Sequence, residues 1–172
     1  PMQQVTGEMR SAAKAVNFGI VYGISDFGLA SNIGISIKRA GEFIARYLER
    51  YPKVHEFMET AKKEGYLNEY AQTLYGRRRK LPELKSGNAN QRNFGERVAM
   101  NMPIQGTAAD IIKAAMVRVH RRLGEEGLKA RLILTVHDEL LIETPEDEAV
   151  QVVGLLRESM EGVIKLKVPL QS

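Results

Sequence analysis

Arg10, Lys14, Phe18 and Tyr22 recur at every fourth position in the stretch RSAAKAVNFGIVYG, Arg10 to Gly23. At about 100° per residue, these four positions span about 120° of a helix, so two cations and two aromatics share one stripe. Ala12, Val16, Gly19 and Ile20 fall on the opposite side, with Ala13 beside them, a small apolar face suited to packing. Aromatics on a helix are usually core and cations usually solvated. If Phe18 and Tyr22 were core, however, the apolar back face would need a second partner. A ligand with a charged end and a flat end fits the stripe better, and a nucleoside triphosphate is such a ligand. Arg forks onto phosphate oxygens, Lys acts as a point charge, and an aromatic lies against sugar or base. The chain has no Walker loop and no GxGxxG motif, so a Gly-rich phosphate cradle is not expected.

Asp138 and Glu139 follow His137 between two apolar runs. Most such pairs are solvated turn residues. The functional alternative is a site for a hard cation: Mg²⁺ takes oxygen ligands, and phosphoryl transfer often uses two ions about 3.5–4 Å apart. One turn cannot fill two coordination shells, so a further carboxylate must come from elsewhere. The His137-Asp138 doublet also raises a metal phosphohydrolase, but only His55 and His120 remain as further histidines, in no recognisable ligand spacing. A second row spaced by four, Arg97, Asn101 and Gln105, is either a solvated edge near a helix cap or a set of donors for a nucleic-acid minor groove. Every correct base pair presents purine N3 and pyrimidine O2 there, so such donors check pair geometry without reading sequence.

The elements that carry these residues are mostly helical. Residues 8–23 form the first helix, and SDFGLASNIG a short second one. A third is capped by Ser36, with Phe43, Ile44, Tyr47, Leu48 and Tyr51 on one face. Pro52 ends it and opens the next helix, which Gly65 closes. AQTLYG reads as a strand, GRRRKLP as a turn and SGNAN as a loop. A long helical pattern starts near Asn90 and kinks or restarts at Pro103. Thr107 with Asp110 resembles a capping box for its second half, which runs to about Leu123 and is bracketed by Gly124 and Gly127. Leu132–Val136 and Leu140–Thr144 form a hairpin without the usual turn glycine. Pro145 opens a last helix to about Gly162, and KLKVPLQS reads as a final strand. The fold class is α+β, mostly helical, with the strands late in the chain.

The 172 residues carry a net charge of +4 and no cysteine, which excludes disulfides, thiolate zinc sites and cysteine nucleophiles. The charge is uneven. Residues 1–138 hold 22 Lys and Arg against 14 Asp and Glu, about +8, and residues 139–172 hold 3 against 7, about −4. A basic larger part suits a polyanionic partner. No run is long enough for a membrane span, and PMQQVTGEMR lacks an apolar signal core. A cytoplasmic protein is expected.

Taken in order, these segments resemble the family A DNA polymerases, the bacterial DNA polymerase I type. RSAAKAVNFGIVYG matches that family's fingers-helix motif, Arg-x3-Lys-x3-Phe-x3-Tyr-Gly, and TVHDEL matches its palm carboxylate motif. ERVAMNMPIQGTAADIIKAAM is similar to the palm helix between them, and TLYGRRRKLPEL to a fingers segment. The resemblance implies a helical fingers subdomain over 1–95, followed over 96–172 by part of a palm with a late β-hairpin. It implies template-directed DNA synthesis by two-metal phosphoryl transfer, with primer–template DNA, dNTP and Mg²⁺ as partners and the bacterial nucleoid as the place of action.

The implied roles go residue by residue. Arg10 and Lys14 hold the triphosphate, and Lys14 is a catalytic residue that protonates the leaving pyrophosphate. Phe18 packs on the deoxyribose, its Phe form disfavouring dideoxynucleotides. Tyr22 stacks beside the templating pair, with Gly23 allowing close approach. Asp138 ligates Mg²⁺ with Glu139 in support, His137 touches the primer terminus, and Arg97, Asn101 and Gln105 contact the minor groove. The family's first carboxylate motif, Asp-Tyr-Ser-Gln-Ile-Glu-Leu-Arg, is absent: the aspartates are Asp26, Asp110, Asp138 and Asp147, none in that context. The expectation is a fragment, with that motif, the thumb and any exonuclease domain preceding residue 1. Such a piece is expected to have little activity alone and to self-associate through uncovered sheet edges. The alternative is a non-catalytic nucleic-acid-binding module with a basic helical face.

Overall fold

A computed structural model describes residues 4–172, apart from the side chain of Glu8. Its contacts group the chain into two compact units, one ending at Ile104 and the other beginning at Gln105.

The first unit opens with α1 (Gly7–Val21), α2 (Asp26–Ile33) and α3 (Ile37–Arg50). Each starts at a hydroxyl that accepts a first-turn amide: Thr6 from Met9, Ser25 from Gly28 and Ser36 from Arg39. Each such cap contributes about 1 kcal/mol by satisfying a donor the helix leaves orphaned. Leu29, Ala30 and Ala40 form the core of this part, with Val16, Ile24, Phe43 and Ile44 packed against them.

Pro52 opens α4 (Pro52–Asn68) as expected. Gly65 does not close it. The helix ends at Glu69, which takes the left-handed conformation at φ 62. Gly65 is instead buried mid-helix, where a Cβ would lie 3.0 Å from that of Ala99 and 3.3 Å from methyls of Leu81 and Leu84. It is small so that α4 can approach the second core cluster of this unit, formed by Ala71, Leu81, Leu84, Val98 and Ala99.

The basic segment is also different. β1 (Tyr70–Gln72) pairs antiparallel with β2 (Arg78–Lys80), so GRRRK supplies a strand and the turn lies before it. The Thr73 hydroxyl accepts from the amides of Tyr75 and Arg77 and holds that turn. A 3₁₀ turn (Pro82–Lys85) leads to α5 (Ala89–Asn101), capped by Asn88.

Past α5 the chain does not break at Pro103. It forms a π-helical turn, Met102–Gly106, which runs into α6 (Thr107–Glu125). A wide turn accommodates the missing proline donor without stopping the helix. Thr107 is therefore not the N-cap expected of a capping box with Asp110: the residue before it, Gly106, is itself helical, and Thr107 and Asp110 are buried within α6.

In the second unit α6 packs with β3 (Arg131–Val136), β4 (Glu139–Glu143) and α7 (Ala149–Glu161) around Ala115, Val119, Leu123, Leu140, Val152 and Leu155. A 3₁₀ turn, Glu146–Glu148, precedes α7, so Pro145 opens that turn first. KLKVPLQS forms no strand: residues 165–172 have no ladder partner and follow α7 as bends and coil.

Candidate functional site

The stripe on α1 is open to solvent. Arg10 and Lys14 are exposed, and Phe18 and Tyr22 keep 48% and 41% of their surface, whereas Ile20 behind them keeps 2%. The aromatics are therefore not core. They form a continuous row: the Phe18 and Tyr22 rings stack with centroids 6.3 Å apart at 23°, and Lys14 Nζ lies 6.0 Å from the Phe18 centroid. The i, i+4 spacing alone brings these groups together. Behind the row, Asn17 Oδ1 accepts from the Tyr47 hydroxyl at 2.8 Å and ties α1 to α3.

The row ends at Gly23, whose φ of 75 favours glycine. A Cβ there would sit 2.5 Å from Met100 Cε and 3.3 Å from Arg97 Cγ. The end of the α1 stripe thus lies against α5, beside the first of the Arg97, Asn101, Gln105 set. Arg97 is exposed and Asn101 half-buried, while Gln105 lies exposed in the π turn at the start of the second unit. The Tyr66 hydroxyl donates to Glu96 Oε1 at 2.9 Å and anchors α5 to α4. That hydrogen bond raises the phenol above its ordinary 10.0, with burial adding to it.

Spacing did not single out Phe94, half exposed on α5 with the guanidiniums of Arg79 and Arg97 each 5.9 Å from its ring centroid. Arg97 was findable, three residues on along the same helix. Arg79 comes from β2 and leaves no local signal.

In the second unit, Val136 pairs with Glu139, so His137 and Asp138 form a two-residue turn. His137 takes φ 54, the positive value that such a turn needs at its first position and usually draws from glycine. His137, Asp138 and Glu139 are exposed, and among the described residues no hydrogen bond or ion pair engages either carboxylate. Uncommitted oxygens at a turn tip suit a hard cation. Among the described residues no three His, Asp or Glu side chains cluster as a metal cage. Asp138 with Glu139 thus offers part of a cation site, as one turn must.

The model of DNA polymerase family A matches residues 1–172. The chain belongs to that family. This family A chain is 55% identical over 166 residues to DNA polymerase I of Caldicellulosiruptor bescii, covering 96% of this chain and 20% of that protein. It is 54% identical over 168 residues to DNA polymerase I of Bacillus subtilis, covering 98% and 19%. It therefore spans about a fifth of these relatives' length. The POL domain of Pol1 from M. smegmatis, solved in complex with DNA primer–template and dNTP, superposes with a TM-score of 0.93 at 42% identity, over 99% of this chain and 30% of that one. The helical α+β architecture expected of a family A fragment is the one observed. No described helix is long and apolar enough to cross a membrane.

Proposed function

We propose that this chain is the part of a DNA-directed DNA polymerase that grips the incoming nucleotide and supplies one carboxylate set for its transfer. The fingers part runs over 1–95 and the palm part over 96–172. The observation that carries the reading is the open row of Lys14, Phe18 and Tyr22 on α1.

Arg10 and Lys14 bind the triphosphate, and Lys14 Nζ passes a proton to the departing pyrophosphate. Phe18 packs on the deoxyribose and Tyr22 beside the nascent pair. Arg97, Asn101 and Gln105 donate to minor-groove acceptors of the primer–template, and His137 meets the primer end. Asp138, with Glu139 in support, holds Mg²⁺, which supplies charge neutralisation for the phosphoryl transfer. Closure of α1 around a matching nucleotide makes binding a checkpoint. The protein works in the cytoplasm, at the bacterial nucleoid.

With Asp138 as the sole aspartate in a polymerase-like motif, the chain alone extends primers poorly. Leu134 and Leu141, cross-strand partners that are 53% and 38% exposed on the hairpin, support self-association, measurable by light scattering.

The test has two parts. The chain should bind a fluorescent dNTP in the presence of Mg²⁺, and Phe18→Ala should weaken that binding about 2- to 10-fold, the worth of one aromatic contact. A full-length polymerase carrying these residues should lose extension on Asp138→Asn. If Asp138→Asn extends normally and no dNTP binds, the chain is instead a non-catalytic DNA-binding module.

A further inference from the structure

We propose that Phe94, with the guanidiniums of Arg79 and Arg97 each 5.9 Å from its ring centroid, is a stacking platform for an unpaired base of a single-stranded nucleic acid. The inference rests on the polymerase reading, under which that strand is template not yet copied.

Phe94 keeps 44% of its surface although no function assigned above uses it. The two guanidiniums at 5.9 Å occupy its surroundings from two different elements, α5 and β2. The arrangement is built. Arg79 Nη2 lies 3.5 Å from Glu83 Oε1, which holds the guanidinium. Gly95, next to Phe94, is buried with a prospective Cβ only 2.9 Å from Leu84 Cδ2 and 3.1 Å from Glu83 Cβ. A Cβ at 95 would require Leu84 and Glu83 to give way, so a glycine there lets α5 approach the 3₁₀ turn that carries Glu83 closely.

The motif is repeated one residue earlier on the same strand. Arg78 Cζ sits 4.5 Å from the Tyr70 centroid, with its Nε donating to Gln72 Oε1 at 2.7 Å. β2 thus presents Arg78, Arg79 and Lys80, all exposed, with an aromatic ring under each of the first two.

Charge complementarity and ring geometry together choose the occupant. Exposed cations beside the ring, Arg79 and Arg97, suit a phosphate backbone. A phenylalanine face offers no hydrogen bond, so it reads no sequence, but every base has a π-face to lay on it. Bases inside a duplex are already stacked on one another and present only edges. An acidic peptide would satisfy the cations and leave the ring unused.

The test uses the 172-residue chain with a blunt DNA duplex and the same duplex bearing a 5′ overhang that contains 2-aminopurine. The wild type should prefer the overhang DNA and change the 2-aminopurine fluorescence. Phe94→Ala and Phe94→Leu should weaken overhang binding at least about fivefold and abolish the fluorescence change, leaving blunt-duplex binding as it was. Phe94→Tyr should behave as wild type. Thermal melting of each variant confirms that the exposed substitution leaves the fold intact. The proposal is overturned if Phe94→Leu keeps both the preference and the signal, if it weakens blunt and overhang DNA equally, or if polyglutamate displaces the overhang DNA as well as oligo(dT) does. A wild-type chain that binds dNTP and blunt duplex but shows no overhang preference sinks this inference alone. One that binds neither ligand sinks the polymerase reading with it.

Discussion

Substituting Gly23 by alanine tests the junction between the exposed row on α1 and α5. Two costs arise there. The first is backbone: φ is 75, and an L-residue in the left-handed region costs about 1–2 kcal/mol. The second is space: the new Cβ would stand 2.5 Å from Met100 Cε, where contact begins at about 3.5 Å. Met100 is buried but flexible, so it yields for about 1 kcal/mol, the low end of overpacking. The sum is about 2–3 kcal/mol. Gly34 supplies the control: it has a φ of 68 with nothing within 4 Å of a prospective Cβ, so Gly34→Ala should show only the backbone cost. Urea unfolding of the three proteins measures both, and the difference between the two variants, about 1 kcal/mol, reports the Met100 contact. The reasoning is refuted if Gly23→Ala unfolds within about 0.5 kcal/mol of wild type, or if the two variants cost the same.

Three further outcomes are expected. Lys14→Ala should weaken dNTP binding about 10-fold or more at low salt, with the loss shrinking as salt rises, because an exposed ammonium acts through a screened field; titration at two ionic strengths checks it. Glu126 accepts from the Gln151 amide and from Arg122, and these bonds, Gln151's first, hold its carboxyl below the ordinary 4.5. Its folded value is depressed, so the stability it adds is complete above that ordinary value and is lost as pH falls through the lower folded one. Urea unfolding between about pH 6 and about pH 3 should therefore show a steeper acid loss in wild type than in Glu126→Gln. His137→Gly should stabilise the β3–β4 hairpin by about 0.5–1 kcal/mol, since glycine accepts φ 54 without strain, while lowering extension by a full-length polymerase; a variant that neither gains stability nor loses activity would contradict both halves.

The helices of the first unit were legible because their signals are local. Ser36 before an apolar face, Pro52 at a first turn and the four-residue recurrence of Arg10, Lys14, Phe18 and Tyr22 each act within one or two turns. The misreadings share a cause. Gly65 looks like a stop until Ala99 and Leu84 arrive from distant sequence and require a small residue there. GRRRK looks like a turn because three arginines seldom read as a strand, yet pairing with Tyr70–Gln72 and the Tyr70 ring stabilises it as one. KLKVPLQS has a strand's composition, and strand composition without a partner is not a strand.

The candidate site divides along the same line. The Arg10, Lys14, Phe18 and Tyr22 row is periodic on a single helix, so sequence spacing and three-dimensional spacing coincide. The carboxylate turn is legible as residue types, but its geometry depends on His137 adopting a backbone conformation that propensity would assign to glycine. A non-glycine residue at that φ costs the hairpin stability, which the His137→Gly variant measures. The Phe94 platform lies at the far limit of legibility, since its second cation sits on a strand that no periodicity connects to α5. Residues that act through one element can be read from order alone; residues that act across elements become visible only when packing brings the elements together, as Gly23 against Met100 and Gly95 against Leu84 do here.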